Sequence, residues 1–257
     1  MYRGFVTEMI YLFDIDGTLT APRQKIQIWH DQILTDFSKN HKVFFVTGSD
    51  LHKVKEQLRD NVLDRFEGVF CCLGNALYQN NSETQLSATY ENNPDWSDEL
   101  ILACTEFVAK STFPHKARNF IEPRIGVLNV SACGRTVNES VRKQYVSWDS
   151  IYSERVDFVD YINKIMPEYE ASIGGEISID ISVRGKNKSQ VLGWLREKYG
   201  NEPISFFGDQ IRDRGNDLPL AEALVNENID NMTYSIFKYD DTYDLIDRLL
   251  YPRISTN

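Results

Sequence analysis

The sequence predicts an α/β protein: a Rossmann-like parallel-sheet core built from both ends of the chain, with an inserted α+β cap domain of antiparallel sheet and helices. Three observations predict it. Short apolar runs alternate with helix-length segments over residues 1–80. The same rhythm returns after Lys188. Between these stretches, strand-length runs come in pairs with helices between them, which is the pattern of an antiparallel sheet covered on one face. The expected division is 1–84 with 188–257 for the core, and 85–187 for the cap.

The elements follow in order. Met9-Ile10-Tyr11-Leu12-Phe13 is an apolar run of strand length and reads as a buried strand. Ile26, Trp29, Ile33 and Phe37 form a helical stripe. Lys42 to Val46 is a second strand, ending in Thr47-Gly48-Ser49-Asp50. Leu51 to Leu63 reads as one helix with Ser49 or Asp50 as N-cap. Gly68 to Leu73 is a third strand. Leu77-Tyr78 and Ala88-Thr89-Tyr90 flank a polar stretch and suggest a hairpin. Pro94-Asp95 opens a helix to about Lys110. Paired strands follow at Asn119–Glu122 with Val127–Ser131, and at Glu170–Ile173 with Ile177–Val183. One or two helices lie between the pairs, over Asn138–Met166. Ser189 to Lys198 is a helix and Ile204–Phe207 a buried strand ending in Gly208-Asp209. A helix, a strand near Tyr234–Phe237 and a final helix over Asp241–Leu250 complete the chain.

Composition narrows the function. With 42% hydrophobic and 26% charged residues, the chain has the balance of a soluble globular protein. No apolar stretch approaches the ~20 residues of a membrane span. The first residues carry charge without a long apolar region and do not read as a secretory signal. The net charge of −10 argues against a nucleic-acid binder, so an anionic substrate needs a local cluster of Arg, Lys or metal. Cys71, Cys72, Cys104 and Cys133 have no zinc-like spacing, which makes reduced buried thiols and a cytoplasmic location the expectation. The four histidines are scattered singly and read as surface or core residues.

Asp14-Ile15-Asp16-Gly17-Thr18 carries the chemistry. Its two carboxylates arrive where a strand ends, the place at which α/β sheets present their sites. There one carboxylate can attack phosphorus and the other can move a proton. Gly17 permits a tight turn, and Thr18 offers a hydroxyl and an N–H.

The later signals keep a telling order: Thr47 and Ser49 at a second strand end, Lys188 before a helix, Asp209 at a third strand end, then Gly215-Asn216-Asp217. This layout resembles the haloacid dehalogenase superfamily of phosphotransferases. The resemblance implies Mg²⁺ held by Asp14, Asp209 and the Asp16 carbonyl. It also implies that Lys188 neutralises the phosphate, that Asp16 protonates the leaving oxygen, and that Asp217 steers Lys188 or a metal-bound water. Leu12 to Lys25, Phe120 to Ser131 with Gly134-Arg135, Ser172 to Asp180, and Phe206 to Asp209 further resemble the eukaryotic-type phosphomannomutase family.

That closer resemblance implies Asp14 as nucleophile and Asp16 as general acid/base, with Lys188 beside them. Arg23, Arg124, Arg135, Arg142, Ser178 and Asp180 match the substrate-binding positions, and Thr47 and Ser49 at the second strand end are candidates for the same role. Arginine suits the role because its planar fork gives phosphate two hydrogen bonds. The implied reaction interconverts mannose 1-phosphate and mannose 6-phosphate through a phospho-aspartate, with a hexose 1,6-bisphosphate as activator, and feeds GDP-mannose synthesis. A homodimer through the cap is implied as well. A Mg²⁺-dependent sugar-phosphate or sugar-bisphosphate phosphatase would use the same residues and admit water to the phospho-aspartate. The chain departs from the family pattern at Thr47, at Ile125, at Gln210-Ile211, at Lys186-Asn187 and over Leu218–Met232.

Overall fold

The computed structural model describes residues 9–80 and 86–250. In chain order the core begins with β1 (Ile10–Phe13), α1 (Ile28–Ser38), β2 (Lys42–Val46), α2 (Leu51–Gln57), α3 (Asp60–Leu63), β3 (Gly68–Cys71), β4 (Ala76–Asn80) and β5 (Leu86–Glu91). A second layer follows: α4 (Asp98–Lys110), β6 (Ile121–Arg124), β7 (Val127–Val130), α5 (Glu139–Tyr152), α6 (Glu154–Ile165), β8 (Tyr169–Gly174) and β9 (Ser178–Val183). The core resumes with α7 (Val191–Tyr199), β10 (Ile204–Gly208), α8 (Leu218–Asn226), β11 (Met232–Ser235) and α9 (Tyr239–Leu250).

The larger sheet has the order β11-β10-β1-β2-β3-β4-β5. Its first five strands are parallel, and β4 and β5 are antiparallel. Both faces are covered, which explains why β1 is apolar without alternation. Tyr11 and Phe13 enter the cluster with Leu34 and Phe37 of α1 and Ile246 of α9. Ile10 and Leu12 point the other way, to Leu192 and Leu195 of α7 and Leu220 of α8. Each such side chain, taken fully out of water, contributes about 1.5–3 kcal/mol.

The smaller sheet is antiparallel, in the order β6-β7-β9-β8. Strand alternation divides its two faces. Leu128, Val130, Ile179 and Ile181 pack with Leu100 of α4, Tyr145 of α5 and Val159 of α6. Asn129, Ser178 and Asp180 therefore project to the opposite face, and Asn129 stands in register with Asp180.

Two expectations need correction. Leu51–Leu63 is two helices, because Leu58 and Arg59 adopt extended backbone between α2 and α3. That break frees the Gln57 carbonyl to accept from Ile26 N–H at 2.7 Å. The expected boundary at 84/85 falls between two strands that pair with each other. The strand β5, assigned to the cap by sequence, pairs with β4 and extends the core sheet. Residues 81–85, between those two strands, lie outside the described residues. Among the described residues, no helix is long and apolar enough to cross a membrane.

Candidate active site

The ends of β1, β2 and β10 converge where their parallel carboxyl ends meet the polar face of the cap sheet. Between them lies a cavity of about 300 Å³. At its floor Lys188, fully buried, donates to Asp14 Oδ1 and to Asp217 Oδ1, both at 2.6 Å. Asp217 also receives the N–H of Gln210 at 2.9 Å, which ties the loop after β10 to the lysine.

Carboxylate oxygens of Asp14, Asp209 and Asp217 all lie within 4.8 Å of one another. Three carboxylates, two buried and that of Asp209 half-buried, against one ammonium leave excess negative charge. Burial and the neighbouring Asp217 push the Asp209 carboxyl up to about 7. Burial raises Asp14 as well, with the other two carboxylates adding to it against Lys188. Burial would lower Lys188, yet Asp14 and Asp217 outweigh it and hold the ammonium protonated. An all-oxygen donor set with surplus negative charge fits a hard divalent cation such as Mg²⁺. Gly17 makes the approach possible. Its φ is +86°, and a Cβ there would lie 2.6 Å from Asp209 Oδ2.

The Asp16 carboxylate is directed away from this cluster. It receives Arg23 N–H and Gln57 Nε2, each at 2.8 Å on Oδ1, and Ser49 Oγ at 3.2 Å on Oδ2. Any contribution of Asp16 to a metal would therefore come from its carbonyl. Thr47 is buried and its Oγ1 receives Ser49 N–H at 3.1 Å, shaping the turn that presents Ser49.

The cap supplies the opposite wall. Arg124 donates to Glu122 through Nε and Nη2 and to the Gly48 carbonyl through Nη1 at 2.8 Å, bridging cap to core. Arg135 Nη1 donates to Ser178 Oγ at 3.2 Å, and its buried Nε has no partner among the described residues. Arg142 Nη1 is likewise buried with no partner among the described residues. Arg23 Nη1 reaches the Arg135 carbonyl at 3.4 Å. Burial, then the positive charges of Arg124 and Arg23, bring Arg135 down to about 10. Burial and then Arg142 likewise lower Arg23. Crowded guanidiniums with open donors suit an anion chemically. Asp180, buried between Asn129 Nδ2 and Asn216 Nδ2 (3.4 Å), faces the same space as Ser178.

The structure thus brings Asp14, Asp16, Arg23, Thr47, Ser49, Arg124, Arg135, Arg142, Ser178, Asp180 and Asp209 to one cavity, with Lys188 beneath Asp14. Sequence reasoning missed Gln57, Lys53 and Asn129. Asn129 had a signal, a lone amide in the apolar run Val127–Val130. Gln57 and Lys53 had none, since polar residues on a helix read as solvated.

Comparison with known proteins agrees with this geometry. The family model described as eukaryotic phosphomannomutase matches residues 30–252. The phosphomannomutase of Saccharomyces cerevisiae is 32% identical over 246 residues, covering 94% of each chain. That of Spinacia oleracea is 34% identical over 226 residues, 86% of this chain and 90% of its own. Among solved structures, an N-terminally truncated IMP-nucleotidase of Plasmodium falciparum superposes with a TM-score of 0.66 at 19% identity, over 95% of this chain and 70% of that one. A haloacid dehalogenase-like hydrolase from Bacteroides thetaiotaomicron gives 0.56 at 11% identity, over 94% and 99%. The two structures share the fold, and the sequence relatives go further: this chain belongs to the eukaryotic phosphomannomutase family.

Proposed function

We propose that the protein is a phosphomannomutase, which interconverts mannose 1-phosphate and mannose 6-phosphate through a phosphorylated Asp14 and a hexose 1,6-bisphosphate. The observation that carries the reading is a single cavity with two phosphate-compatible ends, Asp14 with Lys188 at the core and Arg23, Arg135 and Arg142 at the cap. A monophosphatase needs only the first. The family and its relatives supply the sugar.

In this reading Lys188 holds Asp14 through Oδ1, leaving Oδ2 to attack phosphorus. A Mg²⁺ held by Asp14, Asp209 and the Asp16 carbonyl, with Asp217 nearby, would neutralise charge on the transferring phosphoryl group. Asp16 gives its proton to the leaving sugar oxygen as the P–O bond breaks, and takes one from the incoming hydroxyl in the return step. The guanidiniums at the cap grip the phosphate that is not reacting. Asp180 and Ser178, side by side on one strand face, accept from and donate to sugar hydroxyls. The bisphosphate turns end for end, and its other phosphate returns to Asp14. A hexose 1,6-bisphosphate from outside would phosphorylate Asp14 at the start.

A cytoplasmic location and a homodimer through the cap belong to the same reading. Four free, buried cysteines suit a reducing compartment. Exposed Leu102, Ile151 and Tyr152 give the cap apolar surface for a second copy.

Incubation with mannose 1-phosphate, Mg²⁺ and a hexose 1,6-bisphosphate tests the reaction, with mannose 6-phosphate and free phosphate followed together. Mannose 6-phosphate should dominate. Free phosphate in excess of isomerised sugar would point to the phosphatase instead.

A further inference from the structure

The cap arginines are paired in two different ways. Arg124 and Glu122 form a closed clamp: the Arg124 side chain is 4% exposed, Glu122 also takes Lys53 Nζ at 2.9 Å, and the third Arg124 donor is fixed on Gly48. Arg142 is held more lightly. Its Nε and Nη2 both donate to one oxygen of Glu176, at 3.2 and 3.1 Å. Glu176 sits in the β8–β9 turn beside Gly174 and Gly175 at the cavity wall, and its side chain is 42% exposed. No second hydrogen-bonding partner fixes Glu176 among the described residues.

We infer that Glu176 is an internal competitor for the distal phosphate: its carboxylate occupies the donor fork of Arg142 in the empty site and must leave when a phosphate arrives. The inference rests on the two-ended cavity proposed above. The chemistry matches, because a carboxylate and a phosphate both bridge two guanidinium N–H groups. The turn leaves room for the carboxylate to swing away, since a Cβ at Gly175 would meet nothing within 4 Å. Electrostatics supplies the reason for such a device. Arg23, Arg135 and Arg142 repel one another when no anion is bound, and an exposed carboxylate within reach offsets part of that repulsion while keeping Arg142 aimed. Only the Arg142 side of the pair is buried, and solvent screens the 42% exposed carboxylate, so phosphate displaces it readily. The same weakness gives the bisphosphate an exchange partner when it must release the arginines and turn.

Binding of a hexose 1,6-bisphosphate tests the inference by titration calorimetry, in an Asp14→Asn background that prevents turnover. Removing the competing charge in Glu176→Gln should tighten binding about three- to tenfold, mostly through slower dissociation. Glu176→Ala should do the same, which separates lost charge from any new contact of the amide. The gain should vanish on Arg142→Ala, so that Glu176→Gln with Arg142→Ala binds no more tightly than Arg142→Ala alone. Equal or weaker binding by both Glu176 variants would overturn the competitor while leaving the two-ended cavity intact. Absence of binding in the Asp14→Asn parent itself would overturn the two-phosphate reading and the competitor with it.

Discussion

The guanidinium of Arg124 closes on a single oxygen of Glu122, with Nε at 2.8 Å and Nη2 at 2.6 Å. Together with the Gly48 contact, this makes Arg124 a strut between cap and core, while Arg135 keeps an open donor toward the cavity. The two arginines should therefore respond differently to removal. Arg124→Ala should cost about 1–3 kcal/mol of stability by leaving Glu122 and Lys53 half paired. Arg135→Ala should cost little stability and weaken capture of the bisphosphate roughly ten- to a hundredfold. Denaturant titration and isomerisation kinetics on both variants check this, and identical behaviour would contradict it.

Glu122 also gives the fold a pH signature. Burial works against its charge, but the hydrogen bond from Lys53 and the positive Arg124 hold the carboxyl down at about 2, below its ordinary value of 4.5. A depressed carboxyl stabilises the fold fully above its unfolded pKa and loses that contribution as pH falls toward the folded one. Glu122→Gln should accordingly be less stable than the natural chain at pH 7 by about 1–3 kcal/mol, allowing for solvent screening. The gap should narrow between about pH 4.5 and 2. Urea midpoints of both proteins at pH 7, 4 and 3 measure it, and a gap that stays constant or widens in acid would refute the account.

Lys188 is the only ammonium bonded to the buried carboxylates at the floor among the described residues. Lys188→Met should destabilise by about 3–5 kcal/mol, because it leaves like charges buried together. Added Mg²⁺ should recover more stability in the variant than in the natural chain. Unfolding curves with and without the ion give the comparison. A variant as stable as the natural chain, or one indifferent to Mg²⁺, would speak against the charge balance described.

Gln57 holds the Asp16 carboxylate, the proposed general acid/base, through its amide, which also reaches Thr20 Oγ1 at 3.1 Å. In Gln57→Leu, kcat should fall roughly ten- to a hundredfold with KM for the sugar phosphate little changed, the loss of one hydrogen bond to a charged group. Thermal unfolding should shift only slightly. A large rise in KM with kcat preserved would assign Gln57 to substrate binding instead.

Much of this was legible in the residues. The order of core strands could be read because apolar runs such as Ile10–Phe13 and Ile204–Phe207 are buried on both faces and interrupted by turn residues. Sites at strand ends followed from that order. What escaped was set by long-range contacts. Nothing local stops a helix at Leu58, and both Leu58 and Arg59 are tolerated in helices. The break exists because the Gln57 backbone serves Ile26 and its side chain serves Asp16. The place of β5 was not legible locally, because only its pairing with β4 puts it in the core sheet. The pairing of Arg142 with Glu176 joins residues 34 positions apart, and only the antiparallel cap sheet brings that turn to α5.

The sheet order also bears on synthesis. The first strand lies between β2 and β10, yet β10 follows it by about three-quarters of the chain. At ribosomal rates of roughly 5–20 residues per second, about 10–40 seconds pass before Ile204 follows Ile10. During that interval β1 shows an unpaired, apolar edge inside a half-made sheet, the kind of surface that recruits other strands. The cap can close its own core in the meantime, since α4 through β9 are contiguous. Nascent chains should therefore carry a finished cap on an unfinished base, and substitutions that slow completion of the base would show first as lost yield of folded protein.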